Sequence, residues 1–109
     1  MSRKANVYIN ETLAGTIEKF SQIEYKFSYE DQYFSDTNRL AISLTLPKTQ
    51  QVYRSTSLFP FFFGLLSEGV NRQTQARLLR IDEQDHFSLL LATAESDTIG
   101  AITIKEIPS

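Results

Sequence analysis

The chain has no cysteine and no tryptophan, one methionine, one histidine, four glycines and three prolines in 109 residues. Without cysteine there is no disulfide framework, no thiolate metal site and no thiol catalysis, and the cytoplasm is the expected compartment. Glycines at 15, 64, 69 and 100 cannot cradle a phosphate, because the nucleotide-binding loops need closely spaced glycines at a strand-to-helix turn. Gly64 and Gly69 have the P-loop interval, but no Lys-Ser or Lys-Thr follows them. The His-Arg-Asp of a kinase catalytic loop is missing too. No apolar run approaches the ~18 residues of a membrane span, and the charged first twenty residues hold no secretory apolar region. Basic excess is also lacking: 11 Lys and Arg stand against 13 Asp and Glu, a formal charge of -2, so no direct nucleic-acid partner is expected. What remains is 41% hydrophobic and 22% charged, enough for one core and too short for two. Residues 1–109 are therefore expected to form a single domain.

Hydrophobic periodicity divides the chain into two halves. Val7 and Ile9 alternate with Asn6 and Tyr8, and Leu13 and Ile17 resume beyond Asn10-Glu11, a β-hairpin pattern. Ile23, Tyr25, Phe27 and Tyr29 alternate with Glu24, Lys26, Ser28 and Glu30 as a strand with one wet face. Leu40, Ile42, Leu44 and Leu46 alternate again before Pro47, which predicts a fourth strand. Beyond Leu58 the apolar residues are too dense to alternate. Pro60 suits a helix start and Gly69 its stop, predicting a helix over about 60–68. Asn71 is placed to cap a second helix carrying Ala76, Leu78 and Leu79. Asp82 is placed to cap a third, with Asp85 at its N3 position ahead of Phe87, Leu90 and Leu91 and an end near Ala94. After a turn at Ser96-Asp97-Thr98, Ala101 to Ile104 is predicted to close the chain as a strand. The expectation is an α+β fold: a mostly antiparallel sheet of about five strands, covered on one face by about three short helices.

The side chains offer little catalytic chemistry. His86 is the only histidine, and an acid–base scheme would need Asp82 to orient it and Ser88 as nucleophile, residues poorly disposed around a helix. The simpler expectation is a surface histidine in the first turn of an Asp-capped helix. Glu30-Asp31 is expected to be a solvated loop. Arg72, Arg77 and Arg80 fall within about 140° of one another on the second helix and are expected to form a basic flank. No cofactor and no metal is expected. The most informative segment is Leu58 to Leu66, whose apolar side chains span about 200° of a helix. A helix on a sheet buries a stripe of roughly 100°. Phe59, Phe62 and Leu66 can fill that stripe. Phe61 with Leu65 on one flank, or Phe63 on the other, is then left for neighbouring helices or for a protein partner.

Four stretches in order carry a resemblance: Leu40-Ala41-Ile42-Ser43-Leu44-Thr45-Leu46-Pro47, Phe61 to Arg72 with its Leu65-Leu66-Ser67-Glu68-Gly69, Asp85-His86-Phe87-Ser88-Leu89-Leu90, and Asp97-Thr98-Ile99-Gly100-Ala101. Together they resemble the N-terminal subdomain of HipA-type serine/threonine kinases. Ser67 stands where that family favours Pro, and Glu95-Ser96 where it usually has Gly before the Asp. The ATP-binding and catalytic part of such kinases has no counterpart here. A chain of this subdomain alone resembles the HipS-type antitoxins of tripartite HipBST toxin–antitoxin systems. That resemblance implies a binding protein rather than an enzyme, with a HipT-like kinase toxin and a HipB-like helix-turn-helix DNA-binding protein as partners. Given that resemblance, the apolar helix is expected to supply the docking face: Phe61, Phe62 or Phe63 inserts beside the kinase's ATP-binding loop, with Leu65 on the same face and Glu68 and Arg72 on the polar rim. The alternative is an N-terminal structural subdomain excised from a full-length HipA-like kinase, although Met1 and the short tail at Pro108-Ser109 are expected of an independent gene.

Overall fold

The computed structural model describes residues 3–66, 69–93 and 102–107. Strands β1 (Arg3–Ile9) and β2 (Thr12–Ser21) form the predicted hairpin. Its two-residue turn places Asn10 at φ 50° and Glu11 at φ 69°, the paired left-handed conformation that matches strand twist. Ala14 is the extra residue of a bulge opposite Val7 and Tyr8. Strand β3 (Glu24–Tyr29) pairs with β2, and β5 (Ile102–Ile107) returns beside β1. With β4 (Val52–Ser55) the described strands make one antiparallel sheet in the order β4-β3-β2-β1-β5, and the expected α+β class holds.

The period-two pattern sorts the side chains by face. Ala5, Val7, Ile17, Tyr25, Phe27, Tyr29 and Ile104 are buried on one face, beneath helices α2 (Pro60–Phe63) and α4 (His86–Thr93). From above, Phe59, Phe62, Leu66, Phe87, Leu89 and Leu90 close the core. Phe27 sits at its centre, edge-on to Tyr29 at 4.9 Å and tilted against Phe62 at 5.6 Å.

Five local expectations are corrected. Residues 40–46 are not a strand. Their backbone bonds to side chains instead of a neighbouring ladder: Tyr29 Oη donates to the Leu46 carbonyl and accepts from the Ile42 N–H, and Tyr33 Oη donates to the Leu40 carbonyl at 2.6 Å. Only Ile42 and Leu46 enter the core, and Leu40 and Leu44 are left exposed. The fourth strand is the four-residue β4, Val52-Tyr53-Arg54-Ser55. Glu30-Asp31 is no solvated loop: Glu30 caps helix α1 (Asp31–Ser35), its carboxylate accepting the Gln32 and Tyr33 N–H groups. Helix α2 is one turn rather than two, and three-residue turns carry the chain on through Leu66. Helix α3 (Gly69–Leu79) begins before Asn71, buries Ala76 and leaves Leu78 and Leu79 exposed. At the start of α4 it is Asp85, not Asp82, that caps, accepting the Ser88 N–H at 3.2 Å while Asp82 closes the preceding turn. The turn at Ser96-Asp97-Thr98 lies outside the described residues.

Candidate protein-binding face

The aromatic turn divides its rings between core and surface. Pro60 at the first helical position fixes φ and needs no N–H acceptor, which starts the turn without a side-chain cap. Phe62 then points into the sheet and is fully buried. Phe59 and Phe61 meet it edge-on, at 6.2 and 5.1 Å. Phe61 and Leu65 are half-buried against the edge of the core. Phe63, one residue on, swings away and is 40% exposed. Burial thus withdraws Phe62 from the set of docking candidates, while Phe61, Phe63 and Leu65 retain accessible surface.

Phe63 is held from two sides. The His86 ring meets it edge-on at 4.9 Å, and the Arg72 guanidinium carbon lies 5.3 Å from its centroid. These contacts bring α2, α3 and α4 together at one point. The flanking cation fixes the phenylalanine rotamer while leaving part of the ring to solvent. Arg72 Nε is buried and has no hydrogen-bond acceptor among the described residues. Of the three arginines of the expected basic flank, Arg72 folds onto Phe63, Arg77 lies in the last turn of α3, and Arg80 lies past its end at φ 57°. Glu68 lies outside the described residues.

His86 also borders a cleft of about 450 Å³ lined by Lys19, Gln22, Tyr25, Ser57, Leu58, Asp82, Gln84 and Asp85. This concavity was not legible in the sequence, because strand β2, strand β3 and the start of α4 contribute to it from distant positions. Its carboxylates are engaged elsewhere. Asp85 accepts the Ser88 hydroxyl at 2.7 Å and the Ser88 N–H, and Lys19 stands 3.9 Å away. Burial works to raise the Asp85 carboxyl, but the Ser88 hydrogen bonds and the charges of Lys19 and Arg3 outweigh it and hold the group below its ordinary value. Burial, with the nearby Asp85 charge, pushes the Tyr25 hydroxyl up. Asp82 accepts the Gln84 N–H. Among the described residues no hydrogen bond joins His86 to either aspartate, so no acid–base pair is assembled. No helix there is long and apolar enough to cross a membrane.

The geometry defines a small α+β domain with a two-sided aromatic turn. Comparison with known proteins supplies its family: the HipA N-terminal domain pattern matches residues 5–105, and the chain belongs to that family. It is 37% identical over 82 residues to an uncharacterized protein of Haemophilus influenzae, covering 75% of this chain and 73% of that one. It is 30% identical over 102 residues to the protein named Putative kinase Y4mE of Sinorhizobium fredii, covering 94% of this chain. The match spans only 24% of Y4mE.

Proposed function

We propose that this protein is a HipS-like antitoxin that binds and neutralises a HipT-type serine/threonine kinase toxin, docking on the kinase's N-terminal lobe near the ATP-binding loop. The observation that carries the proposal is Phe63, partly exposed yet clamped between Arg72 and His86, on a domain whose family otherwise forms the N-terminal part of HipA kinases. A domain that packs on a kinase body when fused needs an apolar face for that contact when separate. Phe63 forms its apolar centre and Arg72 its charged edge, with Phe61 and Leu65 the half-buried candidates on the other flank of the turn. A stable contact buries about 800 Å² per partner, roughly a ninth of this domain's 7021 Å² surface. The protein acts by binding rather than by catalysis, and a HipB-like DNA-binding protein completes the complex. Inhibition requires either occlusion of the nucleotide or tighter binding to an inactive kinase conformation, since equal affinity for both states shifts nothing.

The second reading, an N-terminal structural subdomain of a longer kinase, is favoured by a match that spans about a quarter of Y4mE's length. It uses the same face in cis. Titrating the purified chain into ATP-binding and phosphorylation assays of the cognate kinase tests the proposal. Loss of both activities at stoichiometric ratio is expected. A kinase that binds ATP and phosphorylates unchanged in the presence of excess protein refutes it.

A further inference from the structure

The face of the sheet turned away from α2 and α4 carries a different chemistry. Pairing register aligns Lys4, Glu18, Lys26 and Arg54 in one row across β1, β2, β3 and β4. The next row on that face runs Lys105, Asn6, Thr16, Ser28 and Val52 across all five strands. Among the described residues no helix lies over these rows. Neighbouring strands stand about 4.8 Å apart, so the rows form one continuous polar tract.

Charge is unevenly distributed over the molecule. On this face Lys4, Lys26, Arg54 and Lys105 stand against Glu18, Glu24 and, beside Tyr8, Thr103 and Lys105, Glu11, a local excess of one positive charge on a chain of net charge -2. Glu18 is nearly buried between Lys4 at 3.9 Å and Lys26 at 4.0 Å, so it is already neutralised. Among the described residues neither Arg54 nor Lys105 has an acidic partner. Lys26 lies 5.7 Å over the Phe20 ring and Lys105 lies 5.9 Å over Tyr8. A lysine resting on a ring loses less freedom on binding and keeps its N–H donors available.

We propose that this uncovered sheet face is a second docking surface, for an acidic segment of a protein partner. The donors and cations suit carboxylates borne on separate side chains, which can reach the ammonium groups on either side of Glu18. A single-stranded nucleic acid fits less well, because base stacking needs open ring faces and here lysines cover them. The sheet separates this surface from the Phe63 side, so two partners can be held at once. The proposal stands apart from the kinase reading, since it concerns the opposite face.

The test uses the full chain with an oligoglutamate peptide, and an oligothymidine strand and an oligolysine peptide as comparisons, followed by fluorescence anisotropy and amide chemical shifts. Oligoglutamate is expected to bind at low salt, to shift resonances of β1, β3, β4 and β5, and to dissociate toward 1 M salt, where charges are screened within about 3 Å. The double variant Arg54→Glu/Lys105→Glu, changed at two exposed side chains, should weaken binding at least about tenfold. Glu18→Gln, which frees Lys4 and Lys26, should strengthen it. Absence of oligoglutamate binding, tighter binding of oligothymidine, unchanged affinity in a folded double variant, or shifts confined to residues 59–66 would each overturn the proposal.

Discussion

Phe62→Ala and Phe63→Ala remove the same atoms from adjacent residues, and the structure assigns them opposite consequences. Phe62 is fully buried beside Phe27, Phe59 and Phe61, so its loss leaves a cavity with three aromatic walls. Truncating such a core phenylalanine costs about 3–5 kcal/mol, a large part of the roughly 5–15 kcal/mol that holds a domain together. At ~4 °C or more per kcal/mol for a domain of this size, Tm should fall by at least about 12 °C. Phe63 loses an edge contact to His86 and a cation contact to Arg72, both at a ring 40% exposed. That is about 1 kcal/mol, or roughly 4–8 °C. Binding should respond in the reverse order. A central aromatic anchor is worth about 2 kcal/mol or more, so Phe63→Ala should weaken kinase binding at least ~30-fold. Phe62→Ala, measured at a temperature where it remains folded, should bind within a few-fold of the parent. Thermal unfolding by circular dichroism and titration calorimetry against the kinase read both quantities. Equal destabilisation by the two variants would refute the division of the turn into core and surface. Full affinity in Phe63→Ala, together with Phe61→Ala, would refute the docking face.

Gly15→Ala places a Cβ against the Ser28 carbonyl and within 2.9 Å of the Phe27 ring, so the hairpin or the core must shift; a loss of about 1–3 kcal/mol is expected in chemical denaturation. Tyr29→Phe leaves the Ile42 N–H and the Leu46 carbonyl without their partner, and should cost about 1–3 kcal/mol while speeding amide exchange across residues 40–46. Arg80 occupies a left-handed helix end, with the Ile81 N–H reaching back to Ala76 at 2.9 Å, and Arg80→Gly should raise stability by up to about 1 kcal/mol. Asp85 has a folded-state pKa below its ordinary 3.8, so its contribution is fully present above that pH and is lost as acid takes the pH down through the folded value. Asp85→Asn should therefore lower Tm near neutral pH, and the gap from the parent should close below about pH 3.8; a gap that persists in acid would contradict the Ser88 and Lys19 pairing.

Elements with unbroken local signals were legible in the sequence. The Asn10-Glu11 turn and the alternation from Tyr25 to Tyr29 specify the hairpin and β3 because each strand carries its own buried face, whereas Ile23, expected on that face, lies in the preceding turn and is exposed. Residues 40–46 show the same alternation and are not a strand. Two buried tyrosine hydroxyls from elsewhere in the chain compete successfully for their backbone groups. Strand β4 is invisible locally because four residues place only Tyr53 against the core, too few to display a period. The division of the phenylalanines came close to legibility: helical angles separate Phe59, Phe62 and Leu66 from Phe61 and Phe63. The clamp on Phe63 did not, because Arg72 and His86 reach it from two other helices.

The sequence alone determined the family, through motifs spread over most of the chain, and the exclusion of thiol and phosphate-loop chemistry, through residues it does not contain. Local periodicity determined the hairpin, β3 and the buried face of α2, since those patterns need no distant partner. Only the tertiary structure decided that Phe63 rather than Phe61 is the more exposed flank, because exposure depends on what α3 and α4 lay beside the turn. It alone brought four cations onto the open sheet face, since strand register joins residues up to 101 positions apart, Lys4 through Lys105, that have no relation along the chain.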